Sequence, residues 1–363
     1  MKNSFGNALT VTLFGESHGE AIGAVVDGIS PGIKIADEFI REKLARRRPK
    51  GKISTSRVEA DEYKIISGVF NGYTTGTPLT IIIENTNKKS EDYSSLVNNP
   101  RPSHADYTAD VKYHGYQDYR GGGHFSGRIT AALVAVGAIL QYALKDKGIN
   151  VGTHIKSLHG ITDAAFSNLD KDVALLEKRE FPTLSAEAEC EMKKFAEQIA
   201  AEGDSVGGIL ETAVVGLPAG VGEPWFDTLE GMLAHALFSI PAVKGVEFGL
   251  GFGFGASLGS EANDGFRYAD GKVVTETNNS GGINGGISNG MPILFSVAVR
   301  PTPSIFKEQK TIDKENGENT LLKISGRHDP MIVHRAAPVI DAVAAIVISD
   351  MLITRFGIDY LAN

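Results

Sequence analysis

The chain has 363 residues, about 42% of them apolar, enough for one large domain or two ordinary ones with a substantial core. Its formal charge of -8 argues against a general nucleic-acid binder, and the single Cys190 excludes an internal disulfide framework and any multi-cysteine metal site, which fits a reducing, cytoplasmic setting. The N-terminus lacks the apolar core of a signal peptide, and no uninterrupted apolar run reaches the roughly 20 residues of a membrane helix; 131–144 comes closest and reads as a buried helix.

Residues 8–14 alternate as a strand and 21–27 as a second, so the loop between them carries Glu16, Ser17 and His18. Asp37 is the expected N-cap of a helix through Phe39, Ile40 and Leu44 that Pro49 stops, which puts Arg46, Arg47 and Arg48 at its C-terminal end. Residues 64–70 and 79–84 read as strands around the turn dipeptide Asn71-Gly72. A polar stretch, 85–123, shows almost no regular pattern, and its His104, His114, Arg120 and three consecutive glycines mark it as functional.

Residues 127–145 are apolar nearly all round, as are 337–352 with Pro338 in the expected first turn. Two such helices imply a layer covered on both sides. Residues 185–201 form an amphipathic helix, Asp227 and Glu230 are expected to cap a further helix that ends before Pro241, and strands are predicted at 207–217, 246–252 and 291–299. Without regular strand–helix alternation, linker or repeat, the pattern predicts a single α+β domain over 1–363, with antiparallel sheets sandwiching central helices.

The stretch Arg120-Gly-Gly-Gly-His-Phe-Ser-Gly-Arg128 is the most informative. Its glycines let backbone N–H groups converge at the start of a buried helix, Ser126 adds a hydroxyl, and arginines bracket the turn; together these make an anion site. The spacing fits neither a Walker loop nor a dinucleotide fingerprint, and Gly249-Leu-Gly-Phe-Gly253 lacks the framing for one. His104 precedes Asp106, so the imidazole is either tuned by that carboxylate or the aspartate only closes an Asx-type turn. Asp329 before Pro330 is held extended, near His334 and Arg335.

Taken together, Gly15-Glu-Ser-His-Gly19, Arg120 to Arg128 and Arg327-His-Asp-Pro330 resemble the motif blocks of chorismate synthases. Arg46-Arg-Arg-Pro49, Arg101-Pro-Ser-His-Ala-Asp-Tyr-Thr108, Glu202-Gly-Asp-Ser205, the glycine-rich run 281–288 and Arg300-Pro-Thr302 extend the resemblance over nearly the whole chain. It implies a lyase that turns 5-enolpyruvylshikimate 3-phosphate into chorismate and phosphate, with reduced FMN and no net redox change. It further implies a homotetramer; no extra flavin-reductase machinery is apparent, so an external flavin reductant is expected, and whether the chain uses NADPH itself stays open. By resemblance the catalytic residues are His18, as general acid toward the departing phosphate, His104, near the flavin N1 and C2 carbonyl, and Asp329, assisting at N5. Substrate would meet Arg47, Arg48, Ser126, Arg128 and Arg335, whose planar forks suit carboxylate and phosphate. FMN would meet His124, Phe125, Ser126, Ala242, Gly285, Arg300, Thr302, Ser304 and Arg327. His124-Phe125 stands where many members carry Arg-Ser, Arg300 where Lys is frequent, and Asp341 where Glu is usual.

Two other readings compete. In one, His18, His104, His124 and Asp329 ligate a divalent metal in a phosphohydrolase, although no short His-x-x-x-His pair supports it. In the other, the glycine loop and arginines only hold a phosphorylated ligand. A membrane or nucleic-acid partner is not expected.

Overall fold

The computed structural model describes residues 2–55, 60–86, 96–324 and 329–362. Two five-stranded antiparallel sheets enclose a layer of helices, the arrangement expected from two helices apolar on every face. The first sheet is built on the hairpin Thr10–Gly15 with Ala21–Asp27, in register from Thr10 opposite Asp27 to Gly15 opposite Ile22, and continues through Leu79–Glu84 to Tyr63–Ser67. The second runs in the order Val243–Phe248, Ile293–Val299, Gly208–Val215, Asn150–Leu158, Ile161–Thr162.

The helix Thr130–Asp146 packs on the first sheet, the helix Val333–Phe356 on the second, and the two helices pack on each other. Gly137 makes that contact close: a Cβ there would run into Ala342, including its carbonyl oxygen at 2.8 Å. The stretch Gly127–Asp146, which includes the turn before the first helix, and the helix Val333–Phe356 are long and apolar enough to cross a membrane by length and composition, the second at 24 residues exceeding what the sequence pattern indicated, and both are almost wholly buried between the sheets. One apolar core joins both sheets and the helical layer.

Three boundaries differ from expectation. Ala36, with no side-chain oxygen, precedes the helix Asp37–Arg47, while Asp37 sits in its first turn and accepts hydrogen bonds from Arg41 Nε at 2.8 Å and the Tyr63 hydroxyl at 2.5 Å. Thr228, not Asp227, caps Leu229–Leu237, its hydroxyl accepting from the Gly231 N–H at 2.9 Å. The last helix begins at Val333, so Pro338 falls in its second turn, where the ring denies the His334 carbonyl its helical donor. The polar stretch is more ordered than its composition implies: Asp106–Tyr113 is a helix and Arg120–Phe125 is built of 3-10 turns.

Candidate active site

The tight loop after the first hairpin strand places Ser17 and His18, both buried, beneath the glycine run. Gly121, Gly122 and Gly123 all have positive φ, and their missing side chains are what bring the backbone against three partners. A Cβ on Gly121 would collide with the His18 ring, one on Gly123 with the Asp118 carbonyl, and one on Gly122 would lie 3.3 Å from His104 Cε1. One loop therefore bridges the two histidines. The Ser17 hydroxyl reaches the Arg120 and Gly121 carbonyls at 3.2 and 3.1 Å, so its oxygen is left to accept from His18 Nδ1 at 3.0 Å, which puts the proton of a neutral ring on Nδ1. Arg120 itself turns aside to Asp118, at 2.8 Å.

On the far side of the loop, Ser126 accepts from the Arg128 N–H and caps the short turn that enters Thr130–Asp146. Arg128 is buried with Nε on Asn85 Oδ1 at 2.9 Å, Nη2 on the Glu84 carbonyl at 3.2 Å and Nη1 on Asp61. Arg47 donates to the other oxygen of Asp61 at 2.8 Å, and Arg48 lies 3.9 Å from it, half-exposed at the end of its helix. Burial alone would raise the Asp61 carboxyl; Arg47 and Arg128 outweigh it and hold the group below the ordinary carboxylate range.

Asp329 is fixed from two directions, Oδ1 accepting the Thr55 N–H at 2.8 Å and Oδ2 accepting Arg335 Nη1 at 2.7 Å, while Arg335 Nε donates to the Arg47 carbonyl at 2.9 Å. The Thr302 hydroxyl donates to the Asp329 carbonyl at 2.7 Å, and Ala242, at φ 76, accepts the Arg300 N–H at 2.9 Å. Arg101 joins this wall to His104: it donates to Ser304 Oγ at 3.3 Å and forms a two-pronged pair with Asp106 at 2.8 Å.

His104 Nδ1 lies 2.6 Å from Asp106 Oδ1, so this nitrogen carries a proton toward the carboxylate, and the Arg101 guanidinium 3.1 Å away acts on it as a second cation. Burial pulls the imidazole below its ordinary value; Asp106 works against this, and Arg101 and Arg300 reinforce it. The neighbouring carboxylate thus does not make His104 more basic on balance. Nor does Asp106 only close a local turn, since it accepts from the Arg101 backbone and guanidinium as well as from His104.

These groups surround one cavity of about 1080 Å³, into which five arginines project: Arg47, Arg101, Arg128, Arg300 and Arg335. His104, His124, Phe125, Ser126 and Asp329 also line it, as do Ala242, Thr302 and Ser304. His124 Nδ1 donates to the Gly15 carbonyl at 2.7 Å, and the Phe125 ring lies 6.0 Å from that of Tyr113. His18 and Arg48 stand just outside the lining, His18 against Gly121, which does line it. Gly285 lies apart, in the turn between Ile283–Asn284 and Ile287–Ser288, and Arg327 is outside the described residues. His18, His104, His124 and Asp329 each engage different partners, and among the described residues no group of three or more His, Cys, Asp and Glu side chains is placed to hold a metal ion.

Asp61, Asn85, Thr55 and the Arg101–Asp106 pair are contributors that sequence reading did not assign to the site. Only Arg101 and Asp106 sat inside a motif. Chemically, a cavity this size with several guanidiniums, a fixed carboxylate and a neutral imidazole can hold a multiply anionic ligand beside a second, flat one, and can move protons at His104 and Asp329.

Comparison with known proteins bears on which chemistry this is. The chorismate synthase family model matches residues 9–353. The chain is 47% identical over 351 residues to a chorismate synthase of Thermococcus kodakarensis, covering 96% of this chain and 97% of that one. It is 48% identical over 363 residues to one from Lachnoclostridium phytofermentans, covering 99% and 98%. A crystal structure of a chorismate synthase superposes with a TM-score of 0.76 at 30% identity, over 97% of this chain and 94% of that one. With motif order, sandwich architecture and near full-length similarity in agreement, the chain belongs to the chorismate synthase family of lyases.

Proposed function

We propose that residues 1–363 form one catalytic domain that converts 5-enolpyruvylshikimate 3-phosphate to chorismate and inorganic phosphate by anti 1,4-elimination. The carbon–oxygen bond to phosphate and a ring carbon–hydrogen bond break, and a second ring double bond forms. The observation that carries this reading is the convergence of five arginines with His104 and Asp329 on one cavity, since the substrate brings two carboxylates and a phosphate. In this reading Arg47, Arg48, Arg128 and Arg335 hold those anions, with Ser126 as a short hydrogen-bonding group. The pair Arg335–Asp329 supports it because it fixes a guanidinium plane before the ligand is engaged.

Reduced FMN is the cofactor of this reading, and the residues present suit it. Phe125 and Ala242 offer apolar surface for a ring system, with Arg300, Thr302 and Ser304 as polar neighbours, and the volume accommodates a flavin beside the substrate. His124 and Ser126 complete the part of the proposed set that lines the cavity, while Gly285, which lies apart from it, and Arg327 are assigned by family resemblance alone. When bound, reduced flavin supplies transient electron density for loss of phosphate and an acceptor for the ring hydrogen. His18 donates a proton from Nε2 toward the departing phosphate, with Ser17 holding Nδ1. His104, neutral in the protein alone, is the group that takes up a proton when negative charge arrives beside it. Asp329, oriented by Thr55 and Arg335, accepts a proton on the cofactor side. A cytoplasmic homotetramer fed by an external flavin reductant completes the proposal.

Anaerobic incubation of the chain with reduced FMN and the enolpyruvyl ester is expected to yield chorismate; absence of product rejects the reading. His18→Ala should lower turnover by about 100-fold or more while substrate binding persists. Loss of binding in parallel with turnover would reject the proton-donor role and leave His18 a structural residue.

A further inference from the structure

Two of the cavity's cations, Arg47 and Arg128, are answered from within the protein. Asp61 is fully buried, its two oxygens divided between Arg47 and Arg128, whose side chains are themselves 6% exposed, and all three residues line the cavity. Arg128 gives Nε to Asn85, Nη2 to the Glu84 carbonyl and Nη1 to Asp61. On Arg47, the contacts from Nη1 to the Gly127 carbonyl and the Thr130 hydroxyl are long, 3.5 Å each, against 2.8 Å from Nη2 to Asp61. The Asp61 backbone sits at φ 52, a region that non-glycine residues adopt at a cost, so the carboxylate is presented by a constrained main chain. A carboxylate between two guanidiniums is also the arrangement that a ligand carboxylate or phosphate would seek there.

We propose that Asp61 is a positioning residue that acts through Arg47 and Arg128 as an internal counter-anion, competing with the ligand's anionic group for their N–H donors and so limiting its affinity. The inference rests on the reading that these two arginines hold a substrate anion. Like charges brought together where water is scarce repel strongly, so Asp61 lowers the affinity of any anion seated on the pair. The same competition returns the donors to Asp61 when phosphate leaves.

The test uses the full chain and inorganic phosphate as probe. Asp61→Asn keeps the shape and removes the charge, and is expected to bind phosphate with a Kd about tenfold lower than the unsubstituted chain. In turnover its KM for the enolpyruvyl ester should fall with kcat unchanged, whereas a merely structural aspartate would raise KM or lower kcat. An unchanged or higher Kd, or phosphate binding detectable in neither protein, overturns the proposal; binding detectable only in the variant supports it. Should Asp61→Asn fail to fold, crystals of the unsubstituted chain soaked in phosphate decide. The 2.8 Å contact from Arg47 to Asp61 should open beyond hydrogen-bond distance, and phosphate on both arginines with that contact intact overturns the proposal. A chain that behaves as expected with phosphate yet forms no chorismate would reject the functional reading alone.

Discussion

His334 shows how one residue near the site couples it to pH. It stacks on Phe181, with ring centroids 5.9 Å apart, and its Nε2 meets the Ser54 hydroxyl at 3.0 Å, while Nδ1 is buried with no partner among the described residues. The arrangement that leaves no buried N–H unmatched puts the proton on Nε2. Burial above all, with the charges of Arg335, Lys193 and Lys50 behind it, lowers its pKa from 6.5 to about 3. A histidine depressed on folding contributes stability that is complete above its unfolded pKa and is lost as pH falls, because the unfolded chain takes up the proton first. The loss therefore begins near pH 6.5 and continues toward about pH 3. Between pH 7 and pH 5 the His334 contribution should fall by about 2 kcal/mol. Urea unfolding of the unsubstituted chain and of His334→Phe at both pH values measures it. A stability difference between them that stays constant across that interval would show that His334 does not titrate as buried. Its partner Ser54 directly precedes Thr55, whose N–H holds Asp329, so the same substitution reports on the site's support.

At the scale of elements, the central contact between Thr130–Asp146 and Val333–Phe356 depends on Gly137. Helix propensity alone favours Gly→Ala by about 1 kcal/mol. The Cβ would however meet the Ala342 backbone inside contact distance, and overpacking of this kind costs about 1–3 kcal/mol. The steric cost wins, so Gly137→Ala should destabilise the fold and Gly137→Val more so, with chemical unfolding as the measure. A more stable Gly137→Ala would mean that the helices can separate freely. These two helices were legible in the sequence because they are apolar on every face, and so was the first hairpin, whose strands alternate. The strand Asn150–Leu158 was not, since four successive residues, Gly152–Ile155, are buried between the central layer and the helix Leu169–Lys178, and burial on both faces erases a period of two. The helix Asp106–Tyr113 escaped for the opposite reason, with only Ala109 buried and thus no apolar stripe to read. At the site, contiguous blocks carried His18, His104, Arg128 and Arg335 into view, whereas Asp61 lies 14 and 67 residues from the arginines it joins, a relation that only the fold creates.

Across the whole molecule, a chain of net charge -8 encloses a cavity that five arginines line. Arginines gathered in one cleft of an acidic chain raise the local potential there and so draw anionic ligands to the cavity. The outer surface has a second pronounced feature. Trp225 and Phe226 are adjacent in a short turn at 85% and 96% exposure, and Phe252, Phe266 and Tyr268 are exposed as well. Single exposed apolar residues are ordinary, but aromatics this large and this open are uncommon on a protein that stays monomeric. The proposed homotetramer gives them a role, because subunit interfaces concentrate Trp, Phe and Tyr in their buried centres. Replacing Phe226 with Glu, together with Trp225 with Glu, places two charges where such an interface would exclude water. In sedimentation equilibrium the unsubstituted chain should behave as a tetramer and the doubly substituted chain as a smaller species. A monomeric unsubstituted chain would reject the assembly outright, and an unaltered mass in the variant would remove this turn from the interface. Trp225 and Phe226 do not line the cavity, so the variant also separates assembly from ligand binding: phosphate affinity that survives in the smaller species would show that one subunit carries its own anion site.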